Sequence, residues 1–310
     1  LALIGPIVYL LNEGKGESIS PIVAENRKIK ERISLGDKIL ITANSNVEKK
    51  AAVKAFADGN YETATEGFAA SLTQNRNDPE ALIYRNNAIA VASEDTYRIG
   101  ISVPIGGNLG VAKEILRGVA QAQNEVNQAG GINGNLVTIE IANDDNNPEL
   151  AEQVAKSFVK DRNILAVIGH NDSNVSIAAA SIYQEKGLVM ITPTSSADVI
   201  PTMGTYIFRT TPNTRALANT LAKYVVGTAH KTKIALCVDS QSEVSQSFKE
   251  EFTWSIYNLG GKVLPTQCDF SAPDFLPSSI VSRAISDGAE ALLIAPSVKK
   301  INKAIQIAQV

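Results

Sequence analysis

The chain is 310 residues long, 44% hydrophobic and 20% charged, with a formal net charge of -3. That composition fits a soluble globular protein with a real core and room for two ordinary domains and a small third. The charge balance, with no basic stripe interleaved with aromatics, argues against a general nucleic-acid binder, and two cysteines are too few for a disulfide scaffold.

The first stretch, "LALIGPIVYLL" (residues 1–11), is apolar, has no initiating Met and turns abruptly polar at "NEGKGES". It is shorter than the roughly 20 residues that cross a bilayer. A buried strand is one reading; the other, adopted here for residues 1–18, is the trailing half of a membrane anchor or signal segment. Residues 19–93 read as all helical. In "ISPIVAENRKIKERISLGDKIL" the apolar residues Ile22, Ile29, Ile33, Ile39 and Leu40 are spaced for one helix face. Further on, Gly59, Tyr61, Ala64, Phe68 and Ser71 follow the spacing of a tetratricopeptide repeat, and Asp78–Pro79 opens another helix. Such a segment serves either as a docking surface for a protein partner or as a helical spacer.

From Tyr97 the pattern alternates. Buried strands at "YRIGISVP", "LVTIEIA", "ILAVIG" and "LVMIT" are separated by helices, one ending near Gln128, one at "NNPELAEQVAKSFVKD" capped by Asn146 or Asn147, and one at "SNVSIAAASIYQEKG". This is βαβ spacing, which predicts a parallel sheet with helices on both faces over 97–205. An extended bridge at 206–213 leads to a second α/β unit over 214–310. Its strands are expected at "KIALCVD", "GKVLPTQCDF" and "EALLIAP", and its helices at 214–228, "SQSFKEEFTWSIYNLG", "FLPSSIVSRAISDG" and "KKINKAIQIAQ". Two open sheets joined by a short crossover predict two lobes with a cleft and a hinge. Cys237 and Cys268 read as buried thiols near strand ends, although an oxidising compartment permits them to pair.

Ligands of open parallel sheets bind beyond the carboxyl ends of the strands. In the first unit those ends are "IGGNLG" (105–110), "GHNDSN" (169–174) and "TPTSSAD" (192–198). Two of them run into helices, whose N-terminal N–H groups suit a carboxylate or phosphate. His170, Asp172 and Ser173 are the residue types of a serine-nucleophile triad, but neighbours in one turn cannot face one another and there is no G-x-S-x-G elbow. His170 reads as a turn residue, Asp172 or Ser173 as a helix cap, and Ser173 as an anion donor. A dinucleotide site fails because Ile105 stands where the first glycine belongs and Asp144 and Asp145 lie too far on; they read as polar strand-end residues. With two histidines sixty positions apart there is no metal-ligand cluster, and neither a cofactor nor an enzyme activity is expected.

The segments "AGGINGN", "NDDNNPELA", "VIGH", "LVMITPTSS" and "FRTTP" resemble the type I periplasmic solute-binding proteins, most of all the leucine/isoleucine/valine-binding branch that serves ABC importers. The likeness covers about residues 97–310. It implies a two-lobed α/β protein at the periplasmic or extracellular face, membrane-anchored, that closes on an amino acid, amide or urea-like solute and delivers it to an ABC permease. It implies that Ser173 and Asn174 meet the solute's carboxylate, that Thr194, Ser195 and Ser196 supply a carbonyl and a hydroxyl, and that Gly107, Val111 and Ser297 complete the site. Aromatic residues that cover the solute in that family are replaced by Val111, by Glu243 or Val244, and near Ser297. The acid that pairs with the solute's ammonium, and the chain's return to the first lobe, are expected beyond Val310, so the second lobe reads as incomplete. A ligand-sensing or partner-docking module is the alternative function.

Overall fold

The computed structural model describes residues 28–310 apart from 44 and 94; the expected anchor segment at 1–18 lies outside the described residues. Among the described residues no helix is long and apolar enough to cross a membrane.

Residues 31–46 do not continue a helix as the apolar spacing suggests. Ile33–Ser34 form β1, which pairs antiparallel with Ala142 and Ile141 of a later strand. The cause is the turn chemistry of "SLGDK". The Ser34 hydroxyl accepts the N–H groups of Gly36 and Lys38 at 3.1 Å each, and Gly36 sits at φ 142, where a side chain is strained. Three helices follow: α1 Val47–Ala57, α2 Tyr61–Gln74 and α3 Pro79–Val91. Each has a polar cap: Asn46, Asn60 and Asp78 accept from Lys49 N, Thr63 N and Ala81 N. Gly67 lets α2 approach α1, since a Cβ there would stand 2.8 Å from that of Ala52. Phe68 is fully buried edge-on against Tyr84 of α3.

The helices are part of the first lobe. Asn87 of α3 reaches the next strand pair: its Nδ2 donates to Ile139 O and Leu35 O (2.7 Å each), and its Oδ1 accepts Ile139 N–H at 2.8 Å. Asn127 does the same one step along, accepting Val137 N–H at 2.8 Å and donating to Val137 O at 2.9 Å.

The first sheet has the order β1-β3-β2-β4-β5-β6, parallel throughout except for β1. Its strands are β2 Thr96–Val103, β3 Leu136–Asn143, β4 Ile164–Ile168, β5 Val189–Thr192 and β6 Ile207–Arg209. The extended bridge therefore gives three of its residues to this sheet. Between the strands run α4 Leu109–Gln128, α5 Pro148–Phe158 and α6 Ser173–Lys186. Their signals are local: Asn147 caps α5 ahead of Pro148, and Gly187 ends α6 at φ 68. Phe158 lies fully buried on Gly100, where a Cβ would be 2.9 Å away. Truncating Phe158 to Ala costs about 3–5 kcal/mol.

The second lobe begins with α7 Thr214–Lys223, which continues as a π turn over Tyr224–Thr228. Its sheet has the order β8-β7-β9, all parallel, built from β7 Lys233–Val238, β8 Lys262–Val263 and β9 Ala291–Ala295. The helices are α8 Glu243–Asn258, α9 Pro277–Ser286 and α10 Ile301–Ala308. The expected long strand at "GKVLPTQCDF" shrinks to β8 and a single bridge between Val238 and Asp269. Leu264 N–H still reaches Ile234 O at 2.8 Å; regular pairing then lapses and resumes where Val238 N–H reaches Cys268 O at 3.2 Å and Phe270 N–H reaches Val238 O at 2.8 Å. Cys237 and Cys268 are joined as a disulfide, which corrects the expectation of two free thiols. They sit on these two adjacent segments, with Cα atoms 4.6 Å apart, within bridging distance.

Candidate functional site

The strand ends of both lobes meet at one cleft of about 170 Å³. The first lobe contributes Pro148, which opens α5, and Asp172, Asn174 and Val175 at the start of α6. The second lobe contributes Asp239, Gln241 and Ser242, which precede α8, and Ser297, Lys299 and Lys300, which precede α10. The first turns of α6 and α8 therefore approach from opposite sides, each with its own polar cap, Asp172 and Ser242.

Asp172 caps α6, its Oδ1 accepting Asn174 N–H at 2.9 Å. Burial raises its carboxyl above the ordinary range and Asp239 adds to this, while N–H donors and Lys299 oppose it. Asn174 spans the lobes: its Nδ2 donates to Gln241 O at 3.0 Å and its Oδ1 accepts Glu243 N–H at 3.1 Å. Val244 of α8 packs on the first-lobe core beside this bridge. In the second lobe Asp239 gathers the rim. Its Oδ1 accepts Gln241 N–H at 3.1 Å and the Ser271 hydroxyl at 2.5 Å, and its Oδ2 accepts the Ser297 hydroxyl.

Under the first-lobe rim lies a buried polar cluster. His170 Nδ1 is 2.6 Å from Asp144 Oδ2, which also accepts the Ser102 hydroxyl at 2.8 Å, and Asp144 Oδ1 accepts Asn146 N–H at 2.8 Å. Burial pushes the Asp144 carboxyl up, but His170, Asn146 N–H and Ser102 together hold it below the ordinary range. His170 Nε2 lies 3.3 Å from the Tyr183 hydroxyl, which burial and Asp144 push well above its usual range. Gly169 passes so close to β2 that a Cβ would meet Ser102 O at 2.6 Å.

Of the residues expected to hold a solute, Asn174 and Ser297 line the cleft. Ser173 is 3% exposed, and its hydroxyl accepts Ala197 N–H at 3.3 Å. Ser195 is buried behind it, donating to Asn171 O at 3.1 Å, and the Thr194 hydroxyl donates to the same carbonyl at 2.7 Å. Ser196 offers its carbonyl to Arg209 Nη1 at 2.9 Å and to the Thr214 hydroxyl at 2.9 Å, where the chain passes from β6 to α7. Gly107 is exposed beside Asp145 and Asn146, and Val111 is half-buried on α4; neither is among the cleft-lining residues. The sequence reading missed Asp239, Lys299 and Lys300, and it treated His170 as an ordinary turn residue and Asp144 as a polar strand end. The available signal was an acid closing a parallel strand in each lobe: Asp144 follows β3 and Asp239 follows β7.

The comparisons with known proteins agree with this architecture. The Leu/Ile/Val-binding protein homolog 1 of Brucella melitensis is 31% identical over 166 residues, covering 53% of this chain and 44% of that protein. An amino acid binding protein of Pseudomonas aeruginosa is 29% identical over 195 residues, 62% of this chain and 51% of that protein. The chain thus spans about half the length of these relatives. The fold matches that of the isoleucine complex of a branched-chain amino acid transporter substrate-binding protein from Streptococcus pneumoniae, with a TM-score of 0.62, 20% identity and coverage of 69% of this chain and 61% of that one. It also matches an ABC transporter substrate-binding protein from Desulfitobacterium hafniense in complex with leucine, with a TM-score of 0.59, 22% identity and coverage of 69% and 64%. A third, a solute-binding protein from Rhodopseudomonas palustris, was solved with 3,4-dihydroxybenzoic acid, with a TM-score of 0.58, 18% identity and coverage of 70% and 59%. All five are named as amino-acid-binding, substrate-binding or solute-binding proteins. Residues 96–308 match the periplasmic binding protein family, and the chain belongs to that family.

Proposed function

We propose that this protein is the extracytoplasmic solute-binding component of an ABC importer and that it closes its lobes on a small solute bearing a carboxylate. The observation that carries this reading is the cleft itself, where the first turns of α6 and α8 approach from opposite lobes and Asn174 already spans the gap. Leucine, isoleucine and 3,4-dihydroxybenzoic acid, the molecules held by three proteins of like fold, all carry a carboxylate. A helix N-terminus is suited to that group. In this reading the loops holding Ser173, Asn174, Thr194, Ser195 and Ser196 provide the first-lobe contacts. Gly107 and Val111 flank them, and Ser297 faces them from the second lobe. The apolar run at residues 1–11 tethers the protein to the membrane, and α1 and α2 offer a partner surface beside the permease.

A thermal-shift panel of leucine, isoleucine, valine, 3,4-dihydroxybenzoate, simple amides and urea tests the reading. A solute at 100 times its Kd stabilises the folded state by about 2.7 kcal/mol. A shift with carboxylates and none with urea is expected, and Asn174→Ala weakens it. No shift with any of them overturns the importer reading.

A further inference from the structure

We propose that His170 is the positioning residue of the cleft rim, its ring and its carbonyl together setting the relative geometry of the loops that follow β3, β4 and β5. The inference deepens the solute-binding reading and rests on it for the consequence to affinity, though not for the geometry.

His170 is fully buried, and its two ring nitrogens and its carbonyl together reach the loop after β3, α6 and the end of β5. Nδ1 meets Asp144 at 2.6 Å, at the start of the loop after β3, which leads through Asn146 to the cleft-lining Pro148. The carbonyl accepts the Thr192 hydroxyl from the end of β5 at 2.8 Å and the Ser176 hydroxyl of α6 at 3.1 Å, with the Ser195 hydroxyl oxygen 3.3 Å away. Ser176 and Ser195 are themselves 2.8 Å apart, which ties α6 to the loop after β5. Nε2 faces Tyr183, about two turns beyond Ser176 along α6. Asp172 and Asn174, the first-lobe residues that meet the second lobe, follow His170 by two and four positions. A histidine present only to fill space has no need of polar partners on so many first-lobe segments. Here the partners are Asp144, Thr192, Ser176, Ser195 and Tyr183, so a change at one loop moves the others.

Backbone hydrogen exchange by mass spectrometry and titration with L-leucine test the inference on wild type, His170→Phe, His170→Asn and Tyr183→Phe. Phe keeps the ring and loses both nitrogens; Asn keeps a donor near the Nδ1 position. In His170→Phe, exchange is expected to rise about tenfold together at 144–147, 169–174 and 192–198, with the second lobe unchanged, and L-leucine affinity to fall about tenfold. Asn is expected to restore most of both, and Tyr183→Phe to loosen the same three loops by less. If His170→Phe does not fold, the Asn and Tyr183→Phe variants still report on those loops. A rise confined to residues near 170, a uniform rise, or equal behaviour of Phe and Asn overturns the inference. Wild type that ignores L-leucine counts against the solute reading, while the exchange pattern still decides the role of His170.

Discussion

The two lobes build the same kind of rim by different means. In the first, Asp144 and His170 knit three loops through buried hydrogen bonds, and nothing covalent holds them. In the second, Asp239 gathers its neighbours in the same way, but the disulfide between Cys237 and Cys268 pins the two segments that carry Asp239 and Ser271. The first rim stands on hydrogen bonds alone, and the second adds a covalent tie. An acid at a strand end is the shared device, and the reinforcement behind it differs.

The comparison is broken most severely by Asp144→Ala, which strands His170, Ser102 and Asn146 N–H in the interior. A loss of about 3–5 kcal/mol in urea unfolding is expected. Replacing Cys237 and Cys268 by Ser opens a loop of sequence separation 31 and costs about 3–4 kcal/mol by loop-closure entropy, read in the same assay. An unchanged midpoint would deny the second lobe its covalent reinforcement. Asp239→Ala costs less, about 1–3 kcal/mol, because the disulfide still holds its surroundings.

The smallest effect is the most discriminating, because it separates the two acids of the first lobe. Asp144 is held below the ordinary carboxylate range, so its contribution is complete above that range and is lost as pH falls through the depressed value. Burial raises Asp172, so its contribution is complete below the ordinary range and is lost as pH rises through the raised value. Asp172→Asn keeps the cap acceptor and removes the buried charge. It is expected to stabilise the protein by up to about 1 kcal/mol at neutral pH, with the melting curves of variant and wild type converging in acid. A variant less stable than wild type at pH 7 would reverse the sign assigned to Asp172.

Much of this was legible in the chain. The buried runs of β2 through β5 declare themselves locally, and the caps were narrowed to Asn146 or Asn147 and to Asp172 or Ser173, of which Asn147 and Asp172 make the bonds, closing them within three residues. What was not legible depends on distant partners. A two-residue strand such as Ile33–Ser34 has no period to detect, and it exists because β3 lies beside it. His170 finds Asp144 across 26 positions, and the hydroxyls of Ser173 and Ser195 turn inward because of carbonyls and N–H groups that only the folded loops bring near. The type of residue at the rim was readable; its direction was not.

The side chains of Asn87 and Asn127, which complete the outer border of β3, carry a consequence for where this protein can be cut. The family match begins at residue 96, yet Asn87 supplies the peptide-like partner that Ile139 would otherwise lack, and β1 closes the neighbouring stretch. A chain started at the homology boundary would keep Asn127 on Val137 but open the edge of β3 from Ile139 onward, a template for adding strands from other molecules. The packed structure therefore begins ahead of the residues that match the family, and Asn87 and β1 cover an edge that would otherwise stand open.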